Sequence, residues 1–550
     1  MLSPRSRWIF PNPVTIPPTL LDVGLEIGLG PRVVALLAAR GVDTEDDLRR
    51  FLGDPAGSLH DPRRLPDADV FEARVQAARD RGERVLVFGD FDADGITGLT
   101  ILTLALRALA IDAIPYVPSR LEEGHGLSLA AVEAAKEAGA TVIVTVDTGS
   151  SSVDEVAAAQ AAGIDVLITD HHRVPAVLPP AHAIVNPHRA DASYPDRRLA
   201  GSGVAFTLAR LLIGDSALAF ADLAAIGTVA DLAPVLGENR AIVQLGLERI
   251  RSGPRPGLVA LLAAARIEAS AVDLESLSFG IAPRLNAAGR VGEAFDAARL
   301  LLSESPEAAA ELAATLEAAN LTRRDLMKTA IAEARTSPDA VADAAATVVR
   351  GPWPVGIVGL VASRLADERR RPAIVGADLG SVVRASCRSA NGLHLADTLA
   401  ECSDLLIRHG GHAGAAGFEI ATERWDEFRE RFLALAAAAG PPDPVPTLAL
   451  DLAIRGRDVD YALHRDLQKL APCGMGNPEP LVAILGMTVT RVRETGDGGH
   501  TTLVLKRRLD VLDGIAFGWP ELAREVAEGD VIDIVAQLRS RRFGGIESLQ

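Results

Sequence analysis

Of the 550 residues, only three are cysteine, three tyrosine, four methionine and four tryptophan. Cys387, Cys402 and Cys473 are too few and too scattered for a disulfide framework or a cysteine-built zinc knot, and they read as reduced thiols. With aromatics at 4%, the cores must be filled by Ala, Leu and Val. No uninterrupted apolar run long enough to span a bilayer is read, and the opening "MLSPRSRWIFPNP" carries no signal-peptide core. A soluble cytoplasmic protein without membrane association is therefore expected. Positive charge is also in deficit, with 56 Lys and Arg against 73 Asp and Glu, a net charge of −17. That balance argues against a general nucleic-acid binder, which is usually basic. It still allows an enzyme with a metal-filled acidic site and a local basic groove. Basic clusters such as Lys506, Arg507 and Arg508 read, taken singly, as solvated faces.

What the chain does have is length for several cores and a clear alternation of elements. An N-terminal segment, 1–75, is punctuated by Pro and Gly. From residue 76 short apolar strands alternate with helices: "RVLVF", "TVIVTV" and "DVLIT" are strands, separated by Ala-rich helical runs that stop at glycine. The pattern predicts a doubly wound α/β domain with a parallel sheet over 76–295. An Ala-rich helical connector, 296–335, leads to a second α/β domain, 336–440. After the break "GPPDPVP", several short alternating runs over 441–550 predict a small β-barrel.

Ligands of parallel sheets bind beyond the carboxyl ends of the strands, and here the strands end in acids. "VFGDFDADG" places Asp90, Asp92 and Asp94 at alternate positions, "TVIVTVD" ends at Asp147, and "DVLITDHH" ends at Asp170, His171 and His172. Asp231 follows in "GTVADLAP". If the strand ran on, the three alternate carboxylates would share a face and repel unless a cation lay between them. Asp-x-Asp-x-Asp-Gly also begins a helix–loop–helix calcium site, but the twelfth position here is Ile101 rather than Glu, and a strand rather than a helix precedes it. Asp92, Asp94, Asp147, His171 and Asp231 instead form a hard-oxygen set with one imidazole, suited to Mn²⁺ or Mg²⁺. One carboxylate shared by two such ions would hold them about 3.5–4 Å apart, an arrangement that acidifies water and clamps a phosphoryl group.

"DFDADG", "VTVDTG", "ITDHH" and "GTVADLAP" resemble the four motifs of the DHH phosphoesterase superfamily. "GIVGLVASRLA", "RASCRS" and "RHGGHAGAAGF" resemble its companion DHHA1 substrate-binding domain, and "FGIAPRLNAAGRVGEAFDAARLLL" and "PCGMGNPEP" narrow the likeness to its single-strand-specific DNA exonucleases. The resemblance covers nearly all of 76–550. It implies a 5′→3′ exonuclease on single-stranded DNA that releases 5′-mononucleotides with two divalent ions, Mn²⁺ or Mg²⁺. It implies that Asp92, Asp94, Asp147, His171 and Asp231 are metal ligands, with Asp147 bridging, and that His172 lies at the scissile phosphate. Asp90 and Asp170 would orient these groups. Arg120, Ser386 and Arg388 would hold the 5′-terminal phosphate, and Arg284, Asn286 and Arg290 would line the strand's path. Gly411 and His412 sit in a glycine-rich segment read as an anion cradle ahead of a helix N-terminus. Where relatives commonly carry Tyr, this chain has His125, a weaker stacking platform or a source of pH dependence. The 441–550 region resembles an oligonucleotide-binding (OB) barrel, with Arg491, Arg493, Lys506, Arg507 and Arg508 as backbone contacts and Phe517, Trp519 and Phe543 as its few aromatics. The resemblance further implies a helicase and a single-strand-binding protein as partners, and a cleft that needs no second chain. The rival readings are a small-substrate phosphoesterase of the same superfamily and a homologue that binds DNA without cleaving it.

Overall fold

The computed structural model describes residues 6–120, 122–340, 344–390, 392–440, 445–496, 498–507, 510–543 and 546–550. The chain divides into two compact units, one of His60–Ala233 and Ile242–Asp443 and one of Met1–Leu59, Pro234–Ala241 and Pro444–Gln550.

The first of these holds two sheets. One is five-stranded and wholly parallel, in the spatial order Asp112–Tyr116, Arg84–Gly89, Ala140–Val146, Asp165–Thr169, Ala183–Val185. The chain moves outward from Arg84–Gly89 to one side, then returns to build on its other side. Arg84–Gly89 and Ala140–Val146 are therefore neighbours at the point where strand order reverses, which is where open α/β sheets bind ligands. Both strands are buried and apolar almost throughout, as expected with helices on both faces.

Helix Ala93–Ala108 is buried on nearly every side beneath the sheet, against helices Gly201–Ile213 and Ala221–Ala230. The stretch Gly201–Ala230 is, by length and apolar composition alone, long enough to cross a membrane, which the sequence reading did not anticipate. Here it is two helices joined through the 3₁₀ turn Gly214–Phe220, and it is apolar because it forms a core.

The connector contains a 31-residue helix, Pro306–Thr336, started by Ser305, whose hydroxyl accepts from the N–H of Ala308. It leads to the second sheet, ordered Arg408–Gly411, Ala415–Ala421, Val382–Arg388, Ala373–Asp378, Thr347–Gly351. Strict alternation along Val382–Arg388 puts Val383, Ala385 and Cys387 into the core and leaves Arg384, Ser386 and Arg388 on the opposite face.

The other unit joins the chain's two ends. Its sheet is built around Val482–Glu494, paired with Leu452–Arg455, His500–Arg507 and Val531–Ala536. Its core draws on Leu20, Val33 and Leu37 from the N-terminal helices as well as Val482, Met487 and Leu505 from the strands. Buried Arg240 lies 3.9 Å over the Phe51 ring and donates to the carbonyls of Leu470, Ala471 and Pro472, so one side chain ties three sequence-distant segments together.

Candidate active site

The turn from strand to helix occurs inside "DFDADG". Asp92 is the N-cap of Ala93–Ala108, its carboxylate accepting from the N–H groups of Asp94 (3.0 Å) and Gly95 (3.1 Å). Asp90, Asp92 and Asp94 therefore do not share one face of a continuing strand, as alternation alone suggested. They are gathered by the strand-to-helix turn. Asp94 is buried and accepts from the N–H groups of Gly201 (2.7 Å) and Ser202 (2.9 Å), at the start of the next core helix. Gly227 allows this approach: a Cβ there would lie 2.5 Å from Asp94 Oδ1 and 2.2 Å from Ser202 Oγ. Asp147, just past its strand, has φ +62°, a conformation that a non-glycine residue holds only at a cost of order 1–3 kcal/mol.

Asp147 Oδ1 stands 3.0 Å from His171 Nε2, and His171 Nε2 stands 3.9 Å from both Asp94 Oδ2 and Asp231 Oδ2. Both Asp147 Oδ1 and His171 Nε2 are buried and lack hydrogen-bond partners among the described residues. Ligand-bearing atoms come together in three overlapping groups: Asp147, His171 and His172; Asp94, His171 and Asp231; and Asp90, Asp92 and Asp147. Asp147 and His171 are the shared members. Burial, followed by repulsion from neighbouring carboxylates, pushes Asp92 up to about 6, Asp231 up to about 7 and Asp147 well above the usual range. Crowded acids, from buried Asp147 to exposed Asp231, with two orphaned ligand atoms among them are what divalent cations relieve. Hard oxygen donors with imidazole fit Mn²⁺ or Mg²⁺.

Asp170 has a different task. Burial would raise it, but the His172 ring (2.8 Å), the N–H groups of His171 and His172 and that of Ser150 hold it far below the usual range. In return Asp170 raises His172 to about 9. Asp90 accepts from the Phe91 N–H and lies 3.1 Å from His125 Nδ1, whose ring sits 4.5 Å from that of Phe91. Asn186, buried after Ala183–Val185, donates to the His172 carbonyl and Ser150 Oγ. Sequence reasoning passed over it, although the rule that picked out the acids, a polar residue just past an apolar strand, applies to it equally.

Cations border the acids. Arg120 stacks 4.8 Å over Phe91 and makes no ion pair among the described residues. Arg290 donates to the Gly356 carbonyl (2.9 Å), the link between the end of helix Ala282–Val291 and the second-sheet region. Burial lowers Arg290 to about 10, and repulsion from Arg120, Arg323 and Arg388 adds to this, opposed by Asp92. Arg388 is held by Ser363 Oγ (3.0 Å) and the Cys387 carbonyl (2.8 Å), with Ser386 on the same sheet face beside Gly359.

Asn286 accepts from the Ala93 N–H, a second brace for the helix that carries Asp94. Arg284 pairs with Glu317 (2.5 Å) and the Gly280 carbonyl, fastening the connector helix. "RHGGHAGAAGF" forms a β-hairpin rather than a loop before a helix. Gly411 has φ +142°, a Cβ there would meet Ala416 Cα at 2.4 Å, and the exposed His412 donates its N–H to the Ala415 carbonyl. The element that follows is the strand Ala415–Ala421 and not a helix. In the barrel region Phe517 is 76% exposed and packs its ring edge against His500. Trp519 is half-buried, Arg491 and Arg493 lie on Val482–Glu494, and Lys506 lies on His500–Arg507. Arg508 lies outside the described residues, as do the side chains of Arg507 and Phe543.

Family models match in the same order as these elements: the DHH family N-terminal domain at 84–228, the DHHA1 domain at 342–438 and the RecJ OB domain at 450–550. The chain is 36% identical to the single-stranded-DNA-specific exonuclease RecJ of Bacillus subtilis, over 98% of this chain and 69% of that protein. It is 35% identical to RecJ of Salmonella typhimurium over 96% of each. The crystal structure of RecJ in complex with Mn²⁺ from Thermus thermophilus superposes with a TM-score of 0.84 at 31% identity, covering 99% of this chain and 78% of that one. The Mg²⁺ complex from the same organism gives 0.78 at 29% identity, covering 99% and 77%. By the order of its three domains and by near full-length identity, the chain belongs to the RecJ family of single-stranded-DNA-specific exonucleases.

Proposed function

We infer that this protein is a divalent-metal-dependent 5′→3′ exonuclease on single-stranded DNA that releases 5′-mononucleotides. The observation that carries the reading is the pair of buried, unpartnered ligand atoms, Asp147 Oδ1 and His171 Nε2, among carboxylates that repel one another. Asp92, Asp94, Asp147, His171 and Asp231 would hold the ions, which when bound supply positive charge to a phosphoryl transition state and acidify water.

The chain's own groups do the rest. Asp170 fixes the His172 ring by accepting from Nδ1, and His172 directs its other ring nitrogen at a phosphate oxygen. Arg120, Ser386 and Arg388 seat the terminal 5′ phosphate, which sets polarity. Arg388 arrives pre-oriented by Ser363. His125, exposed and backed by the buried Phe91, offers a ring surface to the terminal base. Gly411 and His412 would edge the strand's path from the exposed hairpin. The barrel would add contacts to single-stranded DNA, chiefly through backbone charge. An enzyme of this kind needs unwound strand, so a helicase and a single-strand-binding protein remain its expected partners.

The test is digestion of a 5′-phosphorylated, 3′-labelled single strand with Mn²⁺, beside Asp147→Ala and a duplex. Shortening from the 5′ end that is lost in the variant and absent on duplex supports the reading. An intact strand with wild-type protein contradicts it.

A further inference from the structure

We propose that Arg323, on the connector helix Pro306–Thr336, binds a backbone phosphate of the single strand on the 3′ side of the scissile bond. This rests on the exonuclease reading above and names a residue that neither the motifs nor the metal site points to.

Arg323 lies six residues beyond Glu317, within two turns on the same helix, and Glu317 is already occupied by Arg284 (2.5 Å). Arg323 Nε is buried, and it has no hydrogen-bond partner. Among the described residues Arg323 forms no ion pair, nor does its neighbour Arg324. A buried guanidinium donor left unmatched is costly. Pairing would have been easy in a chain with 73 acids against 56 bases. Burial lowers its affinity for a proton, and the nearby cations Arg324 and Arg284 lower it further.

The arginines are also linked. Arg290 is the electrostatic neighbour of Asp92, Arg120 and Arg388 and also of Arg323. Arg120 in turn neighbours Asp90, Asp92 and Arg388. Arg290 therefore connects the 5′-phosphate residues and the acids to Arg323, whose own helix packs on that of Arg284 through the Arg284–Glu317 pair. A polyanion entering with its 5′ end at Arg120 and Arg388 presents its scissile phosphate at the acids and its next phosphates to Arg323.

The experiment measures binding of a 5′-phosphorylated, 3′-fluorescein dodecanucleotide by anisotropy in EDTA, with wild type, Arg323→Met and Arg323→Lys. The methionine keeps an aliphatic stem for packing. A set of strands, each with a neutral methylphosphonate at one linkage, locates the contact. We expect Arg323→Met to bind roughly tenfold more weakly and to lower the slope of log K against log[salt] by about 0.7, the value for one phosphate on a single strand. We expect the methylphosphonate penalty at one linkage beyond the first to disappear in that variant alone, and Arg323→Lys to recover most of the affinity. Unchanged affinity and slope, or a penalty that persists at every linkage, overturns the proposal. The comparison between linkages is made within each protein, so a general loss of fold cannot imitate it. Cleavage with Mn²⁺ is followed in parallel. Arg323-dependent binding without cleavage by wild type keeps the subsite and removes the exonuclease reading. Cleavage with Arg323-independent binding does the reverse.

Discussion

The two sheets of the larger unit store opposite charges in opposite ways. Beyond the parallel sheet, Asp92, Asp94, Asp147 and Asp231 are gathered together, and burial and repulsion lift the proton affinities of Asp92, Asp147 and Asp231. On the mixed sheet, helix Ala282–Val291 and the connector, Arg388, Arg290 and Arg323 are set with backbone or hydroxyl partners, or with none, but without carboxylates. Each is incomplete without a counter-ion, cations for the first and phosphates for the second. A chain of net charge −17 can therefore grip a polyanion, because its total charge says nothing about where unpaired arginines lie.

The comparison can be broken on the acidic side first. His171→Ala removes the imidazole shared by two of the ligand groups and should reduce strand cleavage by about a thousandfold or more. Single-turnover kinetics at saturating Mn²⁺ would check this, and a loss under tenfold would place the chemistry elsewhere. Next comes the fit around Asp94. Gly227→Val forces atoms into a space where even a Cβ meets Ser202 Oγ at 2.2 Å. Thermal scans should show a destabilisation of about 1–3 kcal/mol, with a large drop in activity. A fully stable, active variant would show that the Asp94 seat is loose.

On the cationic side, Arg388→Ala should slow cleavage of 5′-phosphorylated strands by about ten- to a hundredfold while barely changing strands that begin with a 5′ hydroxyl. Equal losses on both would detach Arg388 from the terminal phosphate. The smallest effect is on stability against pH in metal-free protein. Asp92 at about 6 and Asp231 at about 7 keep protons in the fold that the unfolded chain releases near pH 4, so stability falls as pH rises across that window. His172, raised to about 9, acts in the same direction: the stability it adds below its ordinary value is lost as pH climbs through 9. The apparent Tm in EDTA should drop by a few degrees from pH 5 to 8, and Mn²⁺ should flatten the curve. A Tm that rises over this range contradicts the repulsion.

Much of the acidic site was legible because its signal is local. An apolar strand followed by an acid marks a sheet's carboxyl edge, and that rule finds Asp90, Asp147 and Asp170. It gave the wrong local geometry for Asp92 and Asp94, since a period of two cannot show that Asp92 would cap a helix. The hairpin at Gly411 was misread because glycines serve tight turns and anion cradles equally. The union of residues 6–59 with the barrel was invisible, as it depends on contacts such as Arg240 over Phe51 and Gly30 N–H to Asp466, which are 189 and 436 residues apart in sequence. Arg323 lacked any motif. What singles it out is the absence of a partner, and only the folded chain shows that.

The most direct test of the account is the number of Mn²⁺ ions bound per chain, by equilibrium dialysis at neutral pH, for wild type and Asp147→Asn. Two ions for wild type, with affinity lost at both sites in the variant, is the result predicted from a shared carboxylate at the centre of the acids. Stoichiometry and affinity that do not change when Asp147 is neutralised would contradict it.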